Sequence, residues 1–307
     1  MPALRSALIA LSQSSSLRRW MESSRLGARL SSRFVAGRTI DEALDAAAQV
    51  NQQGMAVSLY SLGGGATSAV DAHMSADVYH KLLDHMAARG IQGHISIKLS
   101  QLGMGISSEL AESVTSDVVR HAKAVGSFVR IDMEGSALTQ ATLGLARRLH
   151  AQGGMRGAIG VVTQACLYRS EADVEQLVAD GISVRLCKGF FREREEIAFP
   201  RKAAVDANFM LLMAKLLDSP VYPGIATHDE ALINAAKRFA LEHKIDRSSF
   251  EFQMLYGVRR DLQRRLVREG YKVRIYLPFG TEWYPYFMRR LVAQPAYVLF
   301  LLKGFFR

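Results

Sequence analysis

The chain has 307 residues, 49% of them hydrophobic, which is enough for one large domain or two small ones with a sizeable core. Its formal net charge is +10, and its only two cysteines, Cys166 and Cys187, lie 21 positions apart. That spacing excludes a disulfide framework and the common zinc patterns, and makes a reducing compartment the default.

In chain order, residues 1–40 hold seven arginines and one acid. The Arg- and Ser-rich start has the composition of a transit peptide. Yet RFVAG (33–37) and TIDEALDAA (39–47) continue directly into folded-looking sequence. Residues 1–50 therefore read as a helical arm ahead of a domain spanning 51–307. Within that domain, short β-like runs alternate with amphipathic stretches. The runs are AVSLYS (56–61), HISIKL (94–99), FVRIDM (128–133), AIGVVTQA (158–165), ISVRLCK (182–188), VYPGIAT (221–227), FEFQML (250–255) and YKVRIYLP (271–278). Between them, ADVYHKLLDHMAARG places apolar residues at 78, 82, 83 and 86. LTQATLGLARRLHAQG ends in a glycine cap at Gly153. Eight strands alternating with helices call for parallel pairing, and this length fits a (β/α)8 barrel; an open doubly wound sheet is the alternative, and the count of eight favours closure. The fold expected is α/β, a distorted TIM-like barrel preceded by N-terminal helices. Residues 255–307 hold eleven Lys/Arg and three acids. The tail AYVLFLLKGFF (296–306) is apolar but shorter than the ~18 residues a bilayer span needs.

The strands read as apolar and end in reactive residues: Lys98, then Asp132 and Glu134, Gln164, Arg185 and Lys188, Thr227, His228 and Asp229, Gln253 and Tyr256, and Tyr276. In such a barrel those ends ring the active site, although polar residues also mark where strands meet solvent. There is no GxSxG, no HExxH and no GxGxxG after a strand. LGGGA (62–66) lacks the lysine of a phosphate loop and reads as a flexible turn. The ring is instead rich in cations and amides, which suits one large and one small anion, such as a dinucleotide and a carboxylate. Near the end, YLPFGTEWYPYFMRRL (276–291) sets Arg289 and Arg290 among six aromatics. On a helix starting near Trp283, Tyr286, Arg289 and Arg290 share one face, where two guanidiniums could grip one carboxylate. A pair of arginines near a helix end, favoured by the dipole, is the blander account.

These segments resemble the proline dehydrogenase family. The resemblance runs through RFVAG, SIKLSQLG (96–103), VRIDMEG (129–135), VVTQACLYR (161–169), RLCKGFFRE (185–193), IATHDE (225–230), FEFQMLYG (250–257), YLPFG (276–280) and WYPYFMRRL (283–291). It implies a distorted (β/α)8 barrel that holds FAD and oxidises L-proline to Δ1-pyrroline-5-carboxylate by hydride transfer to flavin N5. By the same resemblance, Gln164 and Arg185 contact the flavin ring, and Lys188, Gly189, Thr227 and His228 line the rest of the cofactor. Lys98, Arg289 and Arg290 clamp the proline carboxylate, while Asp132, Leu255, Tyr276 and Tyr286 shape the pocket. The electrons pass to a quinone. The expected location is cytoplasmic, with the basic termini and apolar tail suited to peripheral contact on the inner face of a membrane.

The chain also departs from the family pattern. Gly64 stands where a gating glutamate is usual, and Ala293, Gln294 and Tyr297 replace a glutamate, an arginine and an asparagine. Phe190 and Phe191 replace an alanine and a tyrosine. A more positive, less gated and more apolar pocket follows, which keeps open a substituted or bicyclic proline-like substrate. A barrel that binds without catalysing is a further reading, weakened by the retained Arg185, Lys188, Arg289 and Arg290. Nucleic-acid binding through the basic ends is not expected, since the aromatics fall in core and pocket segments rather than among the N-terminal arginines.

Overall fold

The structure, a computed structural model, describes residues 14–152, 154–189 and 193–293. Three helices come first: α1 (Ser15–Ser23), α2 (Arg25–Phe34) and α3 (Ile40–Gln52). The start of α3 is fixed by its own sequence. Thr39 accepts from the Glu42 amide, and Glu42 reaches back to the Thr39 amide.

Eight parallel strands follow: β1 (Ala56–Ser61), β2 (Gly93–Ile97), β3 (Val129–Ile131), β4 (Ile159–Gln164), β5 (Ser183–Cys187), β6 (Gly224–Ala226), β7 (Glu251–Leu255) and β8 (Lys272–Phe279). Each overlaps one of the eight runs read from the sequence. They close in chain order, with β1 paired to both β2 and β8. Helices α4 (Ala69–Ala88), α5 (Ser108–Ala124), α6 (Thr139–Ala151), α7 (Ser170–Ala179), α8 (Lys202–Leu217), α9 (Glu230–Glu242), α10 (Arg260–Arg268) and α11 (Trp283–Ala293) follow the successive strands. Gly153, the expected cap of α6, lies outside the described residues, and the helix ends at Gln152 in extended backbone.

The strands are not simply apolar, and this corrects the sequence reading. They alternate. Leu59, Ile95, Ile97, Val129, Ile131, Val161, Val184, Leu186, Phe252 and Leu277 are fully buried in the main core between strands and helices. The intervening positions carry Ser58, Ser96, Arg130, Arg185, Glu251, Gln253, Arg274 and Tyr276. Arg185 of β5 bonds to Ser58 of β1, Ser96 of β2 and Gln253 of β7, which only inward-pointing side chains can do. Arg185, Gln253 and Tyr276 therefore lie within their strands rather than ending them.

A second apolar cluster joins the arm to one side of the barrel mouth. It contains Met21, Phe34, Val35, Tyr60, Leu62, Val258, Trp283, Tyr284, Phe287 and Met288, with Leu255, Tyr276 and Tyr286 packed against it. The backbone is pinned there too, as Ala36 N–H donates to Pro278 and Gly280 N–H to Gly37. Among the described residues, no helix is long and apolar enough to cross a membrane.

Candidate active site

Arg185 lies at the centre of the mouth and is 6% exposed. Its Nη1 donates to Asp132 Oδ1 at 2.7 Å, its Nη2 to the hydroxyls of Ser58 and Ser96 at 3.2 Å each, and its Nε to Gln253 Oε1. Those bonds use four of the five N–H groups that a guanidinium carries. The group also lies 5.3 Å from the centroid of the Tyr276 ring. With side-chain exposures of 7% and 11%, the Arg185–Asp132 pair is a buried ion pair, which persists only when its remaining polar atoms are satisfied. The other oxygen of Asp132 accepts from the Tyr276 hydroxyl at 2.6 Å. Burial, followed by the Asp132 charge, pushes the Tyr276 phenol well above its ordinary range.

One wall is aromatic. Tyr60 and Tyr276 stack with centroids 5.7 Å apart, and Lys98 Nζ lies 4.9 Å from the Tyr60 centroid. Lys98, just past β2, is thus brought to the same wall as Tyr276 and, through it, Asp132. Tyr286 on α11 and Leu255 at the end of β7 join the apolar cluster behind that wall. Helix α11 places Arg289 and Arg290 one turn beyond Tyr286, as the spacing predicts; their side chains, with those of Phe190, Phe191, Gln294 and Tyr297, lie outside the described residues.

The opposite side is built on β4 to β6. Gln164, the last residue of β4, is 3% exposed and donates from Nε2 to the Glu134 carbonyl at 3.2 Å. Gly189 follows β5 with φ of +111°, where a side chain is strained. A Cβ there would stand 2.3 Å from Cys166 Sγ and 3.6 Å from Gln164 Oε1. The backbone is therefore bare beside the Gln164 amide. Lys188 Nζ bridges Asp206 at 2.6 Å and Asp229 at 2.9 Å. The Lys188 ammonium holds the Asp229 carboxyl below its usual range. Thr227 Oγ1 accepts from the Asp229 amide, and His228 Nε2 accepts from the Leu255 amide at 2.9 Å. An accepting Nε2 puts the proton of a neutral imidazole on Nδ1. Burial pushes the Cys166 thiol up to about 11 and the Cys187 thiol up to about 12, so neither is a thiolate at neutral pH.

The sequence reading, from strand ends for most and from the family resemblance for Gly189, Leu255 and Tyr286, named Lys98, Asp132, Gln164, Arg185, Lys188, Gly189, Thr227, His228, Leu255, Tyr276 and Tyr286, which the structure places at one end of the barrel. It missed Ser58, Ser96, Glu251, Arg274 and Tyr60. The signal was present: a charged or hydroxyl residue at alternate positions of a barrel strand must point inward and be paired. A cavity of about 470 Å³ lined by Ser32, Arg33, Gly257, Arg259, Arg260 and Asp261 lies apart, between the arm and the β7–α10 loop. None of the site residues read from the sequence lines it.

The family model described as proline dehydrogenase matches residues 43–293. Proline dehydrogenase 1 of Bacillus subtilis is 37% identical over 303 residues, covering 98% of both chains. Proline dehydrogenase of Deinococcus radiodurans is 39% identical over 278 residues, covering 90% of this chain and 89% of its own. The crystal structure of proline utilization A from Bdellovibrio bacteriovorus, inactivated by N-propargylglycine, superposes with a TM-score of 0.85 at 23% identity. That match covers 94% of this chain but 36% of the larger protein, and speaks for the fold alone. With the family model spanning most of the chain and two relatives matched along nearly their whole length, the chain belongs to the proline dehydrogenase family of oxidoreductases.

Proposed function

We propose that this protein oxidises L-proline to Δ1-pyrroline-5-carboxylate with FAD as its cofactor and a quinone as the final electron acceptor. The observation that carries the reading is the buried Arg185, fixed by Asp132, Ser58, Ser96 and Gln253 in the barrel mouth of a family member, at the same barrel end as the Gly189–Gln164 edge. That edge suits a flat, polar ring system. A side chain at 189 would collide with Cys166 Sγ and push this backbone out of place, and the Gln164 amide beside it keeps an acceptor and a second N–H besides the one given to the Glu134 carbonyl. Gln164 and Arg185 would hold the ring of FAD, and Lys188, Gly189, Thr227 and His228 its phosphate-bearing remainder. Bound FAD supplies the two-electron acceptor for the hydride that leaves the carbon next to the ring nitrogen.

The residues of the chain then have separable tasks. Arg185 places a fixed positive charge where negative charge develops, and it needs no reorganisation at that moment. Lys98, Arg289 and Arg290 grip the substrate carboxylate and so orient the ring. The stacked Tyr60 and Tyr276 wall excludes water, and Asp132 holds the Tyr276 hydroxyl toward itself. The substrate nitrogen must be neutral for its lone pair to form the C=N bond as the C–H pair departs. Its proton goes to solvent before that step, so no strong side-chain base is required.

A second reading, a bulkier cyclic imino acid, is favoured by one observation. Gly64 is exposed and a Cβ built there meets nothing within 4 Å, so no side chain at this position closes over the mouth where the family pattern has a glutamate. The test is the visible spectrum of the purified protein during anaerobic addition of L-proline, then of hydroxylated and bicyclic analogues. Bleaching fastest with proline supports the first reading, and bleaching fastest with a larger ring supports the second. A protein that cannot be loaded with FAD refutes both.

A further inference from the structure

Beneath the mouth lies a second buried layer to which the proposed reaction assigns no task. Glu251, at the start of β7, is 3% exposed. It takes Arg274 Nε at 2.6 Å and Nη2 at 2.9 Å, a two-point ion pair. Burial pushes the Glu251 carboxyl up, but the Arg274 charge and hydrogen bond overcome this and hold it below its ordinary range. The same carboxylate accepts from Gln253 Nε2 at 2.6 Å.

That last bond has a directional consequence. A carboxylate can only accept, so the Gln253 amide must turn its NH2 toward Glu251 and its oxygen away. The oxygen is the atom to which Arg185 Nε donates. Were the amide reversed, an NH2 would face an N–H, donor against donor. Asp132 anchors Arg185 at Nη1 only, so the Nε edge of the guanidinium is left to Gln253. The Ser58 and Ser96 hydroxyls lie 2.8 Å apart and exchange donor and acceptor roles by rotating, so they do not fix orientation. Space for the amide comes from β6. A Cβ on Gly224 would stand 2.3 Å from Gln253 Nε2.

We propose that Glu251 and Gln253 are positioning residues: Glu251 fixes the Gln253 amide, and Gln253 fixes the Arg185 guanidinium beside the reacting ring. This rests on the reading that Arg185 faces bound flavin. It differs from a through-space effect of the Glu251 charge, and the two have opposite signs. Loss of a buried negative charge alone would stabilise reduced flavin and raise its midpoint potential. Loss of a held Arg185 lowers it.

The experiment uses the full chain loaded with FAD and compares wild type with Glu251→Gln, Glu251→Met and Gly224→Ala. Glutamine at 251 keeps an accepting oxygen for Gln253, so kcat and midpoint potential fall less than with methionine. Methionine removes the acceptor, so kcat falls on the order of tenfold, KM for proline changes little, and the potential falls. Because both glutamine and methionine leave Arg274 without its counter-charge, Gly224→Ala is the deciding variant if the Glu251 variants do not fold. It keeps the Glu251–Arg274 pair and displaces only the amide, and it is expected to lower kcat and the potential in the same way. Wild-type values in Gly224→Ala, or an equal rise in potential for both Glu251 variants, overturn the inference. A wild-type protein that binds no flavin or leaves proline unoxidised overturns the functional reading instead, before any variant is compared.

Discussion

Asp132→Asn tests whether the mouth is held together by the carboxylate that Arg185 and Tyr276 share. Asp132 is 8% exposed and makes two short bonds, at 2.7 Å to Arg185 and 2.6 Å to Tyr276. Stranding a buried charge by removing its partner costs roughly 3–5 kcal/mol. Asparagine retains one acceptor oxygen for Arg185, so about 2–3 kcal/mol is expected. Unfolding entropy of about 2.1 cal/mol/K per residue over 307 residues makes roughly 0.6 kcal/mol/K. Tm should therefore fall by about 4 °C. Tyr276→Phe removes the other bond, a hydrogen bond to a charged acceptor worth about 1.5–3 kcal/mol. Since both variants break the same Tyr276–Asp132 contact, their effects should not add. The double variant should fall short of the sum by about 1 kcal/mol. Thermal unfolding by circular dichroism measures all four proteins. An Asp132→Asn Tm within about 1 °C of wild type, or strict additivity, would refute the argument that Asp132 is the shared anchor.

Gly189→Ala would force a Cβ to 2.3 Å from Cys166 Sγ at a φ of +111°. We expect stability to fall by about 1–3 kcal/mol and FAD affinity to drop more steeply, both readable by thermal melts with and without added FAD. Phe34→Ala removes an arm residue that packs 6.1 Å from Phe287 in the cluster behind Tyr276. It should lower stability by about 3–5 kcal/mol and raise KM for proline, and an unchanged melt would show that the arm does not support the mouth. Acid should destabilise the fold through Glu251, whose carboxyl in the folded protein is held below the ordinary glutamate value of 4.5 by the Arg274 charge and hydrogen bond. As pH falls through that value the unfolded chain takes up protons first, so stability present above about 4.5 is lost progressively until the folded carboxyl also protonates. Urea midpoints between pH 6 and 3 should show this slope, and Glu251→Gln should flatten it.

Much of the fold was legible because two periodicities coincide. Each β-like run is followed by an apolar helical stripe, and a count of eight such units favours closure over an open sheet. Strand β1 was read to its ends because Gly54 and the glycines from Gly63 onward bracket the run. Strand β6 was overread. VYPGIAT carries a proline that cannot donate to a ladder, and pairing begins only at Gly224. The arm was placed in chain order, but its packing against α11 depends on contacts between residues some 250 positions apart, such as Phe34 with Phe287, and no local pattern encodes those.

The site was legible where a residue type is expensive to bury and easy to recognise, and illegible where its cost is hidden by a partner. Arg185 and Asp132 could be picked out one at a time, but not as a pair, because the bond crosses from β3 to β5. Glu251 and Arg274 went unread for the same reason. Inside FEFQML and YKVRIYLP they look like solvent-facing alternation, and only barrel closure turns that face inward. Once it does, Glu251 has no route to water and must be satisfied by Arg274 and Gln253, which in turn orients the group above it. The alternation that reads as an exposed strand face in an open sheet is therefore, in a closed barrel, the interior polar layer on which the site stands.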